Sequence, residues 1–142
     1  MARIKIQLPE KFIFQTEIEI RITEINYGGH LGNDSLLGIL HEARMRFFQS
    51  LGVSEINFFN TGIILADVAI EYKAEGFYAE KLFIEIGVSE ISHCSFDIIY
   101  RASKENGEKI LAVAKTGMVA FDYEKRKVVP MAPEFKKLID LM

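Results

Sequence analysis

The stretch NYGGHLGNDS, residues 26–35, decides the fold of this chain, together with the helix that the sequence predicts after it, as far as Leu51. The stretch contains three of the ten glycines, one of the three histidines and two asparagines. A glycine-rich turn that leads into a helix start collects backbone N–H groups that the helix itself leaves unpaired. Such a place binds an anion, a polarised carbonyl or an oxyanion, so we expect any chemistry of this chain here.

The residues after the stretch follow a helical period. Asn33, Asp34 and Ser35 all favour the N-cap position, which places a helix start at this point. Apolar residues then recur at spacings of three and four, namely Leu36, Leu37, Leu40, Ala43, Phe47, Phe48 and Leu51. Gly52 suits the position that follows a helix end. The pattern therefore predicts one amphipathic helix of about five turns.

Alternating apolar and polar residues predict a strand before the helix, at Phe12–Glu24, and four strands after it. The later strands are Ile63–Lys73, Glu80–Ser92, Cys94–Ser103 and Lys109–Tyr123. The first of these is apolar enough to be central in the sheet. Asn106-Gly107 predicts a type I′ hairpin turn, and a last helix is expected at Glu134–Leu141.

This element order predicts an α+β architecture in one domain over residues 1–142, in which a four-stranded meander and the first strand form an antiparallel sheet. Wrapping the sheet around the long helix hides both apolar surfaces. The edge strands stay open, which favours pairing with a second copy into a dimer or a larger homo-oligomer.

The composition excludes several classes of protein. The net charge of −3 lacks the basic excess that nucleic-acid binding requires, and the apolar runs are too short for a membrane span. The N-terminal residues lack the core of a signal peptide, and the single cysteine, Cys94, fits a reducing cytoplasm. Eleven phenylalanines indicate an aromatic core, an apolar ligand cavity or a subunit interface.

The segment RITEINYGGHLGN, residues 21–33, and His41-Glu42-Ala43-Arg44 after it resemble the signature of a known family. They resemble the hotdog-fold acyl-CoA thioesterases of the 4-hydroxybenzoyl-CoA thioesterase type, and fatty acyl-ACP thioesterases carry a similar signature. The family pattern runs Asp-x-x-Gly-His-Val-Asn-Asn, followed by Glu-Ala-Arg on the helix. Gly29, His30 and Asn33 match it, whereas Leu31 replaces the valine and Gly32 replaces the first asparagine.

The resemblance implies a hotdog fold and hydrolysis of an acyl-CoA or acyl-ACP thioester, without metal or prosthetic group, at sites on a subunit interface. It places the main N–H donor to the thioester carbonyl at or near Asn33, and substrate contacts at Gly28, Gly29, Leu31 and Asp34. The family's catalytic aspartate falls at Asn26. An amide neither accepts a proton at neutral pH nor forms the mixed anhydride that a carboxylate forms.

A hydrolase with asparagine at this position needs another base. Asn26 orients the attacking water, holds the substrate carbonyl by a hydrogen bond, or closes an Asx turn. His30 has the chemistry of an acid or base and is the first choice for the base or for positioning it. The carboxylates that we weigh are Glu24, Asp34, Glu42 and Asp67, of which Asp34 also suits helix capping and Glu42 also suits pairing with Arg46. We expect Glu42 or Asp67 to assist.

Two alternatives remain open from the sequence. The first is a hotdog dehydratase in which His30 acts with an acid on a 3-hydroxyacyl thioester. The second is a binding module that holds acyl-CoA without turning it over.

Overall fold

A computed structural model describes residues 3–142 of the chain. In chain order the elements are β1 (Phe14–Glu19), α1 (Asn33–Ser50), β2 (Gly62–Tyr72), β3 (Lys81–Ser89), β4 (Ser95–Lys104), β5 (Lys109–Asp122), β6 (Lys127–Val128) and α2 (Pro133–Asp140). A short 3₁₀ turn, Ile22–Glu24, lies between β1 and α1. Within residues 3–142, neither helix combines the length and the apolar character needed to cross a membrane.

The six strands form one antiparallel sheet in the order β1-β3-β4-β5-β2, with β6 paired to β5. The hotdog arrangement expected from the resemblance is confirmed, because α1 packs its apolar side on this sheet. The prediction of a four-stranded meander is wrong, since β2 pairs with β5 and only β3, β4 and β5 follow one another.

The prediction that the strand at Ile63–Lys73 is central is also wrong, because β2 lies at the edge of the sheet. Its apolar residues are not all covered within residues 3–142. Leu65 is 39% exposed and Val68 is 37% exposed. An apolar run indicates that a strand needs a covering surface, but it does not identify that surface.

The stripe predicted on α1 is the centre of the core. Leu36, Leu40, Ala43, Phe47 and Phe48 are all buried. The phenylalanines form the expected aromatic core, in which the rings of Phe58, Phe96 and Phe135 meet at centroid distances of 5.5, 5.0 and 4.5 Å. These ring contacts attach α2 to the sheet.

The first strand is shorter than the alternation predicts. It ends at Glu19, and the chain then turns, which leaves Ile22 66% exposed. The carboxylate of Glu24 accepts the backbone N–H of Arg21 at 2.7 Å and its guanidinium at 3.2 Å. These two bonds close the 3₁₀ turn and bring the chain to the start of α1.

The hairpin between β4 and β5 is confirmed, with its turn one residue earlier than predicted. The N–H of Gly107 donates to the carbonyl of Lys104 at 3.2 Å. The central residues are therefore Glu105 and Asn106, and both have a φ of +57°, the sign that a type I′ turn requires.

Candidate active site

A cleft of about 120 Å³ lies at the N-terminal end of α1, between residues 30–33 and the end of β2. Its walls come from His30, Leu31, Gly32, Asn33, Leu36, Tyr72, Ala74, Glu75, Gly76 and Leu111. The N–H of Leu31 donates to the carbonyl of Gly76 at 2.7 Å and joins the two sides. A Cβ on Gly76 would lie 2.8 Å from Ile20 Cδ1 and 2.9 Å from Leu111 Cδ1, so a larger residue here would displace these two side-chain ends.

Most backbone N–H groups of the glycine-rich stretch are paired, contrary to the expectation of a free bundle. Those of Gly29 and Gly32 donate to the carbonyls of Asn26 at 3.0 Å and Glu24 at 2.9 Å. The N–H of His30 donates to Asn26 Oδ1 at 3.4 Å. The prediction of free N–H groups is therefore wrong for Gly29, His30, Leu31 and Gly32, because a folded turn satisfies its backbone locally.

The first turn of α1 is the exception to this pairing of backbone N–H groups. Gly32 is the N-cap residue and has no side chain to accept a hydrogen bond. The N–H of Leu36 reaches the carbonyl of Gly32 at 3.1 Å, and that of Ser35 reaches Asp34 Oδ1 at 3.0 Å. Within residues 3–142, the N–H groups of Asn33 and Asp34 have no acceptor, and Asn33 lies on the wall of the cleft. This position is where the resemblance places the main donor.

Asn26 closes an Asx turn, one of the roles expected for it. Its Oδ1 accepts the N–H of Gly28 at 2.9 Å, so its amide NH₂ is the group left for other contacts. A Cβ on Gly28 would lie 3.4 Å from this Oδ1 and 3.4 Å from His30 Nε2. The Asn26 and His30 side chains therefore flank the same glycine.

The hydrogen bond of His30 fixes its neutral tautomer. Nδ1 lies 3.1 Å from the backbone carbonyl of Leu31, which accepts and never donates. The proton therefore sits on Nδ1, and Nε2 keeps a lone pair. In this tautomer Nε2 of His30, a residue of the cleft wall, is a hydrogen-bond acceptor.

Asp34 lies close to these groups. A Cβ on Gly32 would be 2.8 Å from Asp34 Oδ1 and 3.4 Å from Asn26 Cβ, so the missing side chain of Gly32 makes room for the carboxylate. Burial raises the pKa of the Tyr72 hydroxyl, and the negative charge of Asp34 raises that pKa further. Asn26, His30, Asn33, Asp34 and Tyr72 thus gather at one end of α1.

The structure does not bring Glu42 and Asp67 to this cleft within one chain. Glu42 pairs with Arg46 at 2.8 Å, and Arg46 also donates to Thr16 on β1. Asp67 pairs with Lys115 at 3.0 Å and accepts the N–H of Gly117 at 3.1 Å. Thr116 and Met118 on β5 lie on the face of the sheet that packs toward α1. Gly117 lies between them in the strand and therefore on the other face.

One residue of the assembly, Tyr72, was missed in the sequence. Tyr72 donates its hydroxyl proton to the carbonyl of Asn33 at 2.8 Å, and no local signal connects residues so far apart in the chain.

Arg44 is 4% exposed and donates to the hydroxyl of Tyr100 at 3.1 Å. Its spacing of four from Leu40 was the available signal that it faces the core. Burial raises the pKa of the Tyr100 hydroxyl, which keeps it protonated and able to donate to Thr116 at 2.7 Å.

Comparisons with known proteins agree with this fold. The family described as the thioesterase-like superfamily matches residues 20–139. The solved 1,4-dihydroxy-2-naphthoyl-CoA thioesterase Slr0204 from Synechocystis is 21% identical, with a TM-score of 0.80 over 89% of this chain and 95% of its own. The DHNA-CoA thioesterase from Staphylococcus aureus is 22% identical, with a TM-score of 0.77 over 89% of this chain and 85% of its own.

A third solved structure, a gentisyl-coenzyme A thioesterase, is 18% identical, with a TM-score of 0.77 over 87% of this chain and 99% of its own. At these identities the likeness establishes a shared fold. No curated protein matches the sequence.

Proposed function

The chain belongs to the thioesterase-like superfamily, so its reaction is thioester hydrolysis. From this premise we propose that it hydrolyses an acyl-CoA to a free acid and coenzyme A. The observation that carries the proposal is Asn33, a residue of the cleft wall whose backbone N–H has no acceptor within residues 3–142. A donor fixed in this way stabilises the oxyanion that forms when water attacks a thioester carbonyl.

The proposed acyl group is small. The similar solved structures are named for CoA thioesters of aromatic acids, and the cleft here has a volume of about 120 Å³. An apolar cavity of about 150 Å³ holds a benzene ring. The cleft therefore suits a single ring or a short aliphatic chain better than a long fatty acyl chain.

In the proposed mechanism the thioester oxygen accepts the N–H of Asn33. The Asn26 amide donates to the oxygen of a water molecule, and His30 Nε2 takes the proton as that oxygen bonds to the carbonyl carbon. The tetrahedral intermediate collapses with cleavage of the carbon–sulfur bond. The proton on His30 passes to the departing sulfur, so the products are the acid and the thiol. The mechanism leaves out Glu42 and Asp67, since both carboxylates are paired away from the cleft.

The working form is proposed to be a homodimer. β2 is an open edge strand, and it carries the partly exposed Leu65 and Val68 on the side of the sheet that faces α1. A second copy paired along β2 covers this apolar surface and removes the open edge. The cleft begins at Tyr72, the last residue of β2, so the pairing brings the partner close to the site.

The test is release of the CoA thiol, followed with a thiol-reactive dye, from benzoyl-, acetyl-, hexanoyl- and palmitoyl-CoA. We expect turnover of the small acyl groups, and a fall in kcat of about 10²–10⁴-fold in His30→Gln. The control is His93→Gln, since His93 is exposed and lies outside the cleft. Equal activity of the two variants would remove His30 from the mechanism.

The alternative is a module that binds acyl-CoA without hydrolysing it, and the replacement of the family's aspartate by Asn26 favours this alternative. Calorimetry with a non-hydrolysable thioether analogue tests it. Tight binding of the analogue without turnover of any substrate would establish that alternative and exclude hydrolysis.

A further inference from the structure

We propose that Tyr72 is a positioning residue of the reaction, which holds and polarises the first turn of α1 where that turn donates to the thioester oxygen. The proposal rests on the proposed function, because it assigns Tyr72 a role in stabilising the same oxyanion.

The hydroxyl of Tyr72 is held in a defined place. Tyr72 is the last residue of β2, and the next two backbone N–H groups, of Lys73 and Ala74, both donate to the carbonyl of Leu111, at 2.8 and 3.1 Å. From this anchored backbone the hydroxyl reaches the carbonyl of Asn33 at 2.8 Å. The ring lines the cleft beside His30 and Asn33. The bond therefore ties the sheet to the end of the helix that supplies the donor.

The carbonyl that Tyr72 contacts belongs to the peptide unit between Asn33 and Asp34. The N–H of that unit is the Asp34 N–H, one of the two that have no acceptor within residues 3–142. A hydrogen bond to a peptide carbonyl polarises the unit and strengthens its N–H as a donor, by roughly 10–30% in condensed-phase estimates. The same bond fixes the direction of Asn33, whose own N–H is the neighbouring donor.

Tyr72 stays a donor throughout the pH range of an assay. Burial raises the pKa of its hydroxyl, and the carboxylate of Asp34 nearby raises that pKa further, so the hydroxyl keeps its proton. The polarising contact is therefore present at every pH at which the enzyme is measured, and its loss changes the rate without moving the pH profile.

The test is Tyr72→Phe, which keeps the ring in the cleft and removes only the hydroxyl. Removing a whole oxyanion donor lowers kcat by about 10²–10³-fold. The hydroxyl polarises the Asp34 N–H, the neighbour of the Asn33 donor, so 10–30% of that logarithm, ~2- to 8-fold, is the upper bound on the fall in kcat. We expect this fall in kcat with KM and the pH profile unchanged. Independently of activity, we expect the ¹⁵N resonance of the Asp34 amide to shift, because it reports the hydrogen bond on the preceding carbonyl.

The matched control is Tyr123→Phe, which removes a hydroxyl bonded to the carbonyl of Ile63 at 3.3 Å, at the other end of β2. We expect it to change neither kcat nor the Asp34 resonance. Wild-type kcat in Tyr72→Phe, an equal loss in both variants, or a rise in KM at constant kcat would each overturn the positioning role. An absence of wild-type turnover on every substrate would instead overturn the proposed function.

Discussion

Replacing Asn33 by proline removes the proposed oxyanion donor while leaving the helix in place. Asn33 is the first residue of α1, and proline is favoured there because that N–H makes no intrahelical bond. The preceding residue must then be extended, and Gly32 already has φ −70° and ψ 145°. The chain uses this arrangement itself, since Pro133 is the first residue of α2.

The substitution is expected to have opposite effects on stability and on kcat. Proline restricts the unfolded chain, so Asn33→Pro is expected to leave stability unchanged or to raise it by about 0.4–1 kcal/mol. Loss of the N–H removes one oxyanion donor, which lowers kcat by about 10²–10³-fold, or about 2.7–4 kcal/mol of transition-state stabilisation. A variant that is as stable as the wild type and yet nearly inactive separates catalysis from folding.

The assay combines thermal unfolding with steady-state thiol release. Asn33→Ala is the control, because it removes the same side chain and keeps the N–H. Calorimetry with the thioether analogue shows whether the proline ring blocks the cleft, since an unchanged Kd assigns the loss to the transition state. If Asn33→Pro keeps kcat within threefold of Asn33→Ala, the donor lies elsewhere and the reasoning fails.

Two further predictions concern the sheet. Leu65→Glu places a charge on the exposed apolar side of β2, so sedimentation is expected to show a shift from dimer to monomer. The control is Ile110→Glu, at a β5 position that is 37% exposed. If both variants sediment like the wild type, pairing along β2 is contradicted. Burial raises the pKa of Asp97, although Lys115 opposes the shift. Because the folded pKa lies above the unfolded one, Asp97 lowers stability as pH rises through that interval. Urea unfolding should therefore find Asp97→Asn more stable relative to wild type at pH 7 than at pH 3, and a difference independent of pH would contradict this sign.

The structure narrows the search for the base. Four carboxylates were weighed from the sequence, and three of them are paired with cations: Glu24 with Arg21, Glu42 with Arg46 and Asp67 with Lys115. The fourth, Asp34, stands close to Asn26 across Gly32. His30, whose Nε2 lone pair is set by the Nδ1 bond to Leu31, lies on the cleft wall and is the proposed base.

The sequence by itself determined most of the elements and indicated where the candidate site lies. The stripe from Leu36 to Phe48 and the alternation in the later strands each record which face of a local element is buried. That information is contained within a few neighbouring residues, so periodicity recovers it. The glycine-rich stretch and Asn33 were recognisable in the same way, because a turn and a helix start have local chemical signatures.

Only the tertiary structure decided how these elements combine. The position of β2 at the edge, the pairing of Leu31 with Gly76 and the contact of Tyr72 with Asn33 all join residues far apart in the chain. The same holds for the separation of Glu42 and Asp67 from the cleft, since each carboxylate is fixed by its own cation. Local patterns specify what must be buried or hydrogen-bonded, whereas the choice of partner depends on how the whole chain packs, which is why the proposed site emerged only from the fold.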